Sequence, residues 1–373
     1  MYISDYMIMA IAEAEKMRGK TNPNPNVGAV IVKNNRVIGT GATQPYGKDH
    51  AEIQALKNCM QDPLNADLYV TLEPCCHAGK TPPCTDAIIK ANIKNVYVGI
   101  KDPNPLVNGK GFEALKKAGI NVEYHFYENE ISQQLETYLW WITTQRPFII
   151  LKNAASLDGK IAAENGDSKW ITSKAARKKV HQLRNEVDAV MTTVNTVLKD
   201  DPLCNVRLDD IDEVKHPIRL ILDPKLEIPL TSAILNSIDK YKTIVFYDKS
   251  IKTTGNFAKL NKFIASQKDS MIALTPVAAE NGKLDLAEVF YILGQWKITS
   301  IMVEAGTTLN SYLIQNNFVN KICYFIAPKI LGGNQNVFQN LNIPSLEKHI
   351  PLRNTSVEIY GDNVLIIGYM EVN

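Results

Sequence analysis

The chain has 373 residues, 45% hydrophobic and 21% charged, with 41 Lys and Arg against 39 Asp and Glu for a formal net charge of +2. At ~100–200 residues per domain the length implies two domains, each large enough to bury a core without disulfide staples. The composition excludes a disordered, collagen-like or coiled-coil chain, and the charge balance gives no general reason to expect nucleic acid or an anionic membrane as partner.

In chain order, Met7, Ile11, Ala14 and Met17 recur at helical spacing and predict a helix over 4–18. The breaker Asn22-Pro23-Asn24-Pro25-Asn26 precedes an apolar strand, Val27 to Val32, which turns at 33–36 and returns as a hairpin partner over 37–40. A helix at 51–60, a strand at 67–72, a helix at 85–91, a strand at 95–100, a helix at 112–118 and a strand at 121–126 then predict an α/β sheet covered by helices. A linker near 143–146 opens a second α/β unit, giving domains 1–145 and 146–373. Strands are expected there at 148–151, 189–192, 218–222, 243–246, 271–274, 300–303, 322–326 and 364–367. Helices are expected at 173–186, with Ala176, Val180 and Leu183 on one face, and at 286–293 and 309–316. No internal repeat or low-complexity tract is present.

No apolar run approaches the ~18 residues of a membrane span, and the Met1-Tyr2-Ile3-Ser4-Asp5 start lacks the basic stretch of a secretory signal. A cytoplasmic setting is therefore expected, where thiols stay reduced. Six cysteines stand at 59, 75, 76, 84, 204 and 323, three of them clustered in a loop rich in Pro and Gly, which points to metal or catalysis before disulfides.

The sharpest constellation is His50-Ala51-Glu52 followed by Pro74-Cys75 and Pro83-Cys84. A catalytic zinc site wants three protein ligands and an open position for water, and one imidazole with two thiolates supplies them: His50, Cys75 and Cys84. Zinc polarises water at neutral pH, and a carboxylate must receive and return the proton, a role for Glu52. Residues two apart do not share a helix face, so His50 must sit at the helix start for both to meet one site. Pro82-Pro83 marks a helix entry at Cys84, where the N-terminus favours a thiolate. The bland alternative is a structural zinc site or ordinary core residues. The pattern is that of zinc deaminases, His-x-Glu with Pro-Cys.

The usual deaminase cysteines are two residues apart, whereas eight separate Cys75 from Cys84 here. With Asn22–Val30 and Lys101-Asp102-Pro103-Asn104-Pro105, that long loop resembles the bifunctional pyrimidine deaminase–reductase family of riboflavin biosynthesis, and the resemblance covers nearly the whole chain. It implies an α/β protein with an N-terminal cytidine-deaminase-like α/β/α sheet domain and a C-terminal dihydrofolate-reductase-like α/β domain. The first domain is then expected to deaminate a diaminopyrimidinone carrying a phosphoribosylamino arm, with one Zn2+ per chain. His77 and Lys80 are expected at its phosphate or ribose, and Asp102, Asn104 and Asn24 at polar edges of the ring and sugar. The alternative is that Lys80 is solvated and the Asn-Pro steps only shape turns. Cys76 reads as loop filler that points away if Cys75 binds.

In the second half three segments resemble the family's reductase: Leu151–Ala162 with Ser168–Thr172, Asn195–Arg207, and Val303–Leu309. The third has its own physical reading, a strand ending at Glu304-Ala305-Gly306 and a helix beginning at Thr307 or Thr308, whose free N–H groups suit a pyrophosphate. No Gly-x-Gly-x-x-Gly fingerprint supports a Rossmann domain. The resemblance implies NADPH as cofactor, held by Ala154, Trp170, Thr196, Asp200 and the run Gly306, Thr307, Thr308, Leu309, Asn310, Ser311 and Tyr312. It places Ser168, Arg184, Leu203, Arg207 and Glu304 at the substrate, with guanidinium suited to phosphate. The reaction resembled is hydride transfer to the ribose C1′ of an opened, imine-like form, with Asp200 a candidate proton donor. Two plain readings stay open: Asp200-Asp201-Pro202 as a turn or helix start, and Arg184 as a solvated helix residue. At a position where the resemblance would suggest Ser for a cofactor contact this chain has Asp223-Pro224, which leaves that one contact open but not the cofactor, since Pro224 offers no donor. The resemblance further implies a homodimer or larger assembly, while the net charge of +2, 8% aromatics and lack of a long apolar run lead us to expect no nucleic-acid or membrane partner. Competing readings are a nucleoside or nucleotide deaminase with a non-catalytic ligand-binding C-terminal domain, a nucleic-acid editing deaminase, and a non-catalytic zinc scaffold.

Overall fold

The run Gly28–Lys33 is apolar on both faces, and in the structure it becomes the interior strand β1, nearly wholly buried between two neighbours. The structure, a computed structural model, describes residues 3–167, 171–211, 213–252 and 255–371. The chain divides into two compact units, one of 1–146 with 294–299, the other of 147–293 with 300–373.

The first unit begins with α1 (Ile3–Glu15), ahead of β1 and its hairpin partner β2 (Arg36–Ala42). Then follow α2 (Ala51–Lys57), β3 (Asp67–Leu72), α3 (Cys84–Lys90), β4 (Asn95–Ile100), α4 (Lys110–Lys117), β5 (Asn121–Tyr124), α5 (Glu128–Gln134) and α6 (Glu136–Thr144). The sheet order is β2-β1-β3-β4-β5, with β1 antiparallel to β2 and β3, and β3, β4 and β5 parallel. Helix α1 stops at Glu15, short of Met17, because the chain tightens into turns (Met17 N–H to Ala14 O, 3.0 Å) before Gly19 goes left-handed. Helices α5 and α6 fill the stretch between the last strand expected in the first unit and the linker, where no element was expected, and α6 runs into the linker's first two residues; Ile131 is the only large apolar residue of the polar run Glu128–Gln134, so its periodicity is invisible in sequence. Glycines let the helices lie close on the hairpin. A Cβ on Gly28 would stand 1.9 Å from the Ala10 carbonyl oxygen, and one on Gly41 2.3 Å from the Ala55 nitrogen. Helix α2, and with it His50, is thus seated directly on β2.

The second unit contains β6 (Phe148–Ser156), α7 (Lys174–Glu186), β7 (Ala189–Thr193), α8 (Val194–Asp200), β8 (Ile218–Leu222), β9 (Thr243–Asp248), α9 (Gly255–Ser266) and β10 (Ile272–Val277). After the two-residue strands β11 (Ala279–Glu280) and β12 (Lys283–Leu284) come α10 (Leu286–Gln295, its last two residues counted with the first unit), β13 (Ser300–Val303), α11 (Thr307–Gln315), β14 (Lys321–Ala327), β15 (Arg353–Tyr360) and β16 (Asn363–Tyr369). Its sheet runs β10-β9-β8-β7-β13-β6-β14-β16-β15, parallel from β10 to β14 and antiparallel at the last two strands. The core packs Phe325, Leu151, Met302 and Val190 with no exposed surface on these side chains. Strand β15 was not expected: it is an edge strand exposed on both faces, so its hydrophobicity does not alternate. Asp200 ends α8 and Asp201 caps it in a left-handed conformation, so this segment is a helix terminus and not a helix start. The charged, partly buried Lys152 lies within β6, which continues well past Leu151.

Candidate active sites

In an open parallel sheet ligands gather at the carboxyl ends of the strands, and both units place their chemistry there. Past β3 comes Cys75, past β4 come Asp102 and Asn104, and Cys84 opens α3 after Pro83. His50 is the N-cap of α2, with extended backbone (φ −77°, ψ 166°). That break from helical geometry lets His50 and Glu52 meet one site across two residues.

His50 Nδ1 lies 3.5 Å from Cys75 Sγ and 3.4 Å from Cys84 Sγ. Tetrahedral zinc with ordinary bond lengths separates a nitrogen from a sulfur by about 3.5 Å. The donor set therefore fits a zinc ion, and all three ligand atoms lie within 4.8 Å of one another. The Cys84 thiol, the His50 ring and the Cys84 backbone N–H converge on the Cys75 sulfur and lower its pKa to about 4. The same contact pushes Cys84 up, since two adjacent thiolates need a cation between them. Cys75 in turn raises His50. Glu52 is buried, and burial with the neighbouring Cys75 charge raises its carboxyl to about 7. Cys76 turns away, its thiol directed at the Leu106 carbonyl at 3.8 Å.

A pocket of ≈ 270 Å³ opens onto this triangle. Asn24, His77, Lys80, Asp102 and Asn104 all line it, beside His50, Glu52 and Cys75. Asp102 accepts the Tyr138 hydroxyl at 3.0 Å and the Asn104 N–H at 2.9 Å, and burial raises its carboxyl to about 6. His77 Nδ1 is buried with no partner. Glu73, buried behind the pocket, accepts N–H groups of Gly109 (2.9 Å) and Gly111 (3.0 Å) and pins the loop that follows Asp102. Tyr138, Trp141, Tyr46 and Lys297 also line the pocket and were not foreseen; Tyr138 and Trp141 sit on the unexpected α6.

The second unit opens a larger cleft of ≈ 680 Å³ at the ends of β6, β7 and β8. Ala154, Thr196, Asp200, Gly306, Thr307, Thr308, Leu309, Ser311 and Tyr312 line it, with Arg184 and Glu304. Asn310 is fully buried below, donating to Asn153 Oδ1 at 2.7 Å. Ser168 and Trp170 lie outside the described residues. Gly306 caps α11 without a side-chain bond, which leaves the first N–H groups for a ligand. Asn153 Nδ2 and Thr192 Oγ1 are buried without a partner on residues that line the cleft. A dinucleotide-sized volume, a helix N-terminus and unpaired polar atoms fit a phosphate-bearing cofactor such as NADPH. Pro224 lines the same cleft and offers no donor.

Arg184 is not a solvated residue. Its Nε and Nη2 donate to the two carboxylate oxygens of Glu304 at 2.6 and 2.9 Å, and its Nη1 to the Asn205 carbonyl at 2.9 Å. Burial works against both charges, but each outweighs it for the other: Arg184 is raised, and Glu304, with Lys152 at 3.5 Å, is lowered to about 2. The Arg184 fork is thus occupied by Glu304. Arg207 is the exposed guanidinium, steadied by Asn205 Oδ1 at 2.8 Å, and Leu203 lies half-buried between Pro202 and Cys204, two residues that line the cleft. His181 accepts the Arg207 N–H at 3.3 Å; burial and the two guanidinium charges lower it to about 4. Lys152 was overlooked in sequence, although a lysine inside an apolar strand was its signal.

Residues 147–366 match the family model described as RibD C-terminal domain, and residues 2–100 that of the cytidine and deoxycytidylate deaminase zinc-binding region. The chain is 42% identical over 363 residues to the riboflavin biosynthesis protein RibD of Aquifex aeolicus (97% of each chain) and 36% identical to that of Actinobacillus pleuropneumoniae (97% of this chain, 94% of the other). Among solved structures, Acinetobacter baumannii RibD superposes with a TM-score of 0.85 at 34% identity, covering 99% of this chain and 98% of the other. A Thermotoga maritima diaminohydroxyphosphoribosylaminopyrimidine deaminase/5-amino-6-(5-phosphoribosylamino)uracil reductase superposes with a TM-score of 0.82 at 33% identity and the same coverage.

Proposed function

The chain belongs to the riboflavin biosynthesis protein RibD family, and from that membership we propose that it performs two consecutive steps on one phosphorylated pyrimidine. The first is hydrolytic deamination of 2,5-diamino-6-(5-phosphoribosylamino)pyrimidin-4-one in the first unit. The second is NADPH-dependent reduction of the ribosyl arm to ribityl in the second. The observation that carries the reading is the His50, Cys75 and Cys84 triangle with buried Glu52 beside it at the floor of a pocket.

A zinc ion held by these three ligands supplies the Lewis acid that activates water. Glu52 takes the proton of the attacking water and passes it to the substrate, so that a C–O bond forms at the amino-bearing carbon and ammonia leaves. Asp102, oriented by Tyr138, and Asn104 and Asn24 hold polar edges of the ring and sugar, while His77 and Lys80 face the ribosyl phosphate.

In the second unit the cleft would hold NADPH, which would be the hydride source for reduction at C1′ of the opened, imine-like arm. The α11 N-terminus, Gly306 through Tyr312, Ala154, Thr196 and Trp170 hold the cofactor. Arg207 takes the substrate phosphate, Arg184 fixes Glu304, and Glu304 with Ser168 and Leu203 orients the pyrimidine. Asp200 at the cleft is the candidate proton donor to the reduced centre. The protein is further proposed to work in the cytoplasm as a homo-oligomer. Among the described residues no helix is long and apolar enough to cross a membrane.

The test is one coupled assay on purified protein with the diaminopyrimidinone ribosyl phosphate, following ammonia and NADPH together. Ammonia first and NADPH consumption after it is the expected order. Ammonia alone would reduce the second unit to a binding module, and neither signal from folded, zinc-loaded protein would overturn the substrate.

A further inference from the structure

The pocket mouth carries a feature that neither the zinc triangle nor Glu52 requires. Two ammonium groups crowd one ring: Lys80 Nζ lies 4.1 Å from the Tyr46 ring centroid, and Lys297 Nζ lies 5.6 Å from the same centroid and 3.2 Å from the Tyr46 hydroxyl. Among the described residues neither lysine has a carboxylate within salt-bridge distance. Two like charges drawn to one aromatic surface, with no counter-charge, leave a positive field that an anion would neutralise. The hydrogen bond from Lys297, with the charges of both lysines, holds the Tyr46 hydroxyl below the ordinary phenol range, as such a field requires.

Lys297 is placed here by its backbone. The segment 294–299 belongs to the first unit. Trp141 Nε1 donates to the Gly294 carbonyl at 3.0 Å, and a Cβ on Gly294 would stand 1.9 Å from the Gln145 carbonyl oxygen, so only glycine allows this close seating on α6. Three residues on, Lys297 itself is left-handed (φ 62°), at a kind of position this chain mostly gives to asparagine or glycine. That conformation closes the end of α10, with the Lys297 N–H on the Gly294 carbonyl at 3.0 Å, and it leaves the long cationic side chain lining the pocket. Across the ring, Gly47 is also left-handed, and its α-carbon faces the Lys80 stem, with 3.7 Å between a Cβ there and Lys80 Cδ.

We propose that Lys297, packed on Tyr46 opposite Lys80, adds a second cationic contact to the phosphate that Lys80 already faces, so that a residue far beyond the deaminase motifs in sequence strengthens the hold on phosphorylated over unphosphorylated pyrimidines. The inference rests on the proposed function for the substrate but concerns a different contact from the chemistry at Glu52. Lys80 supplies a charge from the long inter-cysteine loop, Lys297 supplies the second, and the Tyr46 ring fixes the distance between them.

The test compares ammonia release by full-length, zinc-loaded protein from the phosphorylated substrate and from its dephosphorylated counterpart. Lys297→Ala should lower the ratio of the two kcat/KM values about ten- to a hundredfold, mainly through KM for the phosphorylated form, the range of a lost charge-assisted hydrogen bond. Lys297→Arg should restore most of it. A ratio unchanged in Lys297→Ala, or a wild-type ratio near one, would overturn the proposal. Calorimetry with ribose 5-phosphate as probe decides the matter even if neither pyrimidine is turned over. In an Arg207→Ala background with saturating NADPH, which together weaken and compete for ribose 5-phosphate at the reductase cleft, binding should weaken with Lys297→Ala, and equal binding with and without Lys297 would sink the phosphate seat independently of the substrate assignment.

Discussion

The Nδ1 atom of His50 lies 3.4 Å from the Sγ of Cys84, across 34 residues of chain. One partner stands on the N-cap of α2 and the other on the first turn of α3, and Cys75, at the end of β3, closes the triangle. The ligand geometry is therefore set by how two helices end against one sheet, which makes it sensitive both to the ligands and to the packing beneath them.

Glu52→Gln should keep the metal and lose deamination by about 10²–10⁴-fold, because the amide preserves shape but cannot accept a proton and return it. Ammonia release and zinc content measured on the same sample check this. Zinc loss on the substitution would remove Glu52 from its role as proton carrier.

Cys84→Ser should lose zinc on dialysis, since a hydroxyl does not replace a thiolate as ligand. Reduction of the already deaminated substrate should continue, because the reductase cleft lies on the second unit's own sheet. Stoichiometric zinc retained in the variant would show that another group is the ligand.

Arg207→Ala should raise the reductase KM about tenfold or more and spare ammonia release. Arg184→Ala should instead lower kcat and stability together, because it strands the buried Glu304 carboxylate that it holds at 2.6 Å. Equal loss of both activities in Arg207→Ala would mean that the two sites are coupled.

His181 gives a pH dependence. Its pKa in the fold is about 4, lowered from 6.5, so the folded state binds this proton more weakly than the unfolded chain. Stability from this group is therefore full above about pH 6.5 and falls as the pH drops toward 4. Urea midpoints at pH 7 and pH 5 should move further apart in the wild type than in His181→Gln. Parallel shifts would show that the ring is protonated in the fold.

Gly41→Ala probes the packing under the metal site. The added methyl would stand 2.3 Å from the Ala55 nitrogen of α2, so the helix must shift, at about 1–3 kcal/mol. Because His50 caps that helix, zinc affinity should fall along with thermal stability. Unchanged zinc affinity in a destabilised variant would separate the ligand from its scaffold.

The zinc ligands were legible because metal chemistry allows few residue types, and the spacing of His50, Glu52, Cys75 and Cys84 is written in the chain itself. The alternation of strands and helices was legible for the same kind of reason. Periodicity is local, and β3, β4 and β8 lie where the apolar runs are. Helices α5 and α6 and strand β15 were not, since tertiary contacts and not their own patterns hold them.

Sequence by itself therefore determined the α/β fold class and the His50, Cys75 and Cys84 triad suited to zinc, because each follows from local pattern or from the fixed chemistry of a side chain. Only the tertiary structure decided which charges face which. It made Arg184, expected at the substrate with a solvated helix residue as the plain alternative, the buried partner of Glu304, left Arg207 as the open guanidinium, and brought Lys297 to Tyr46 across 251 positions. Long-range electrostatic pairing depends on distances that close only when sheets and helices pack, and no periodicity or spacing along the chain records them.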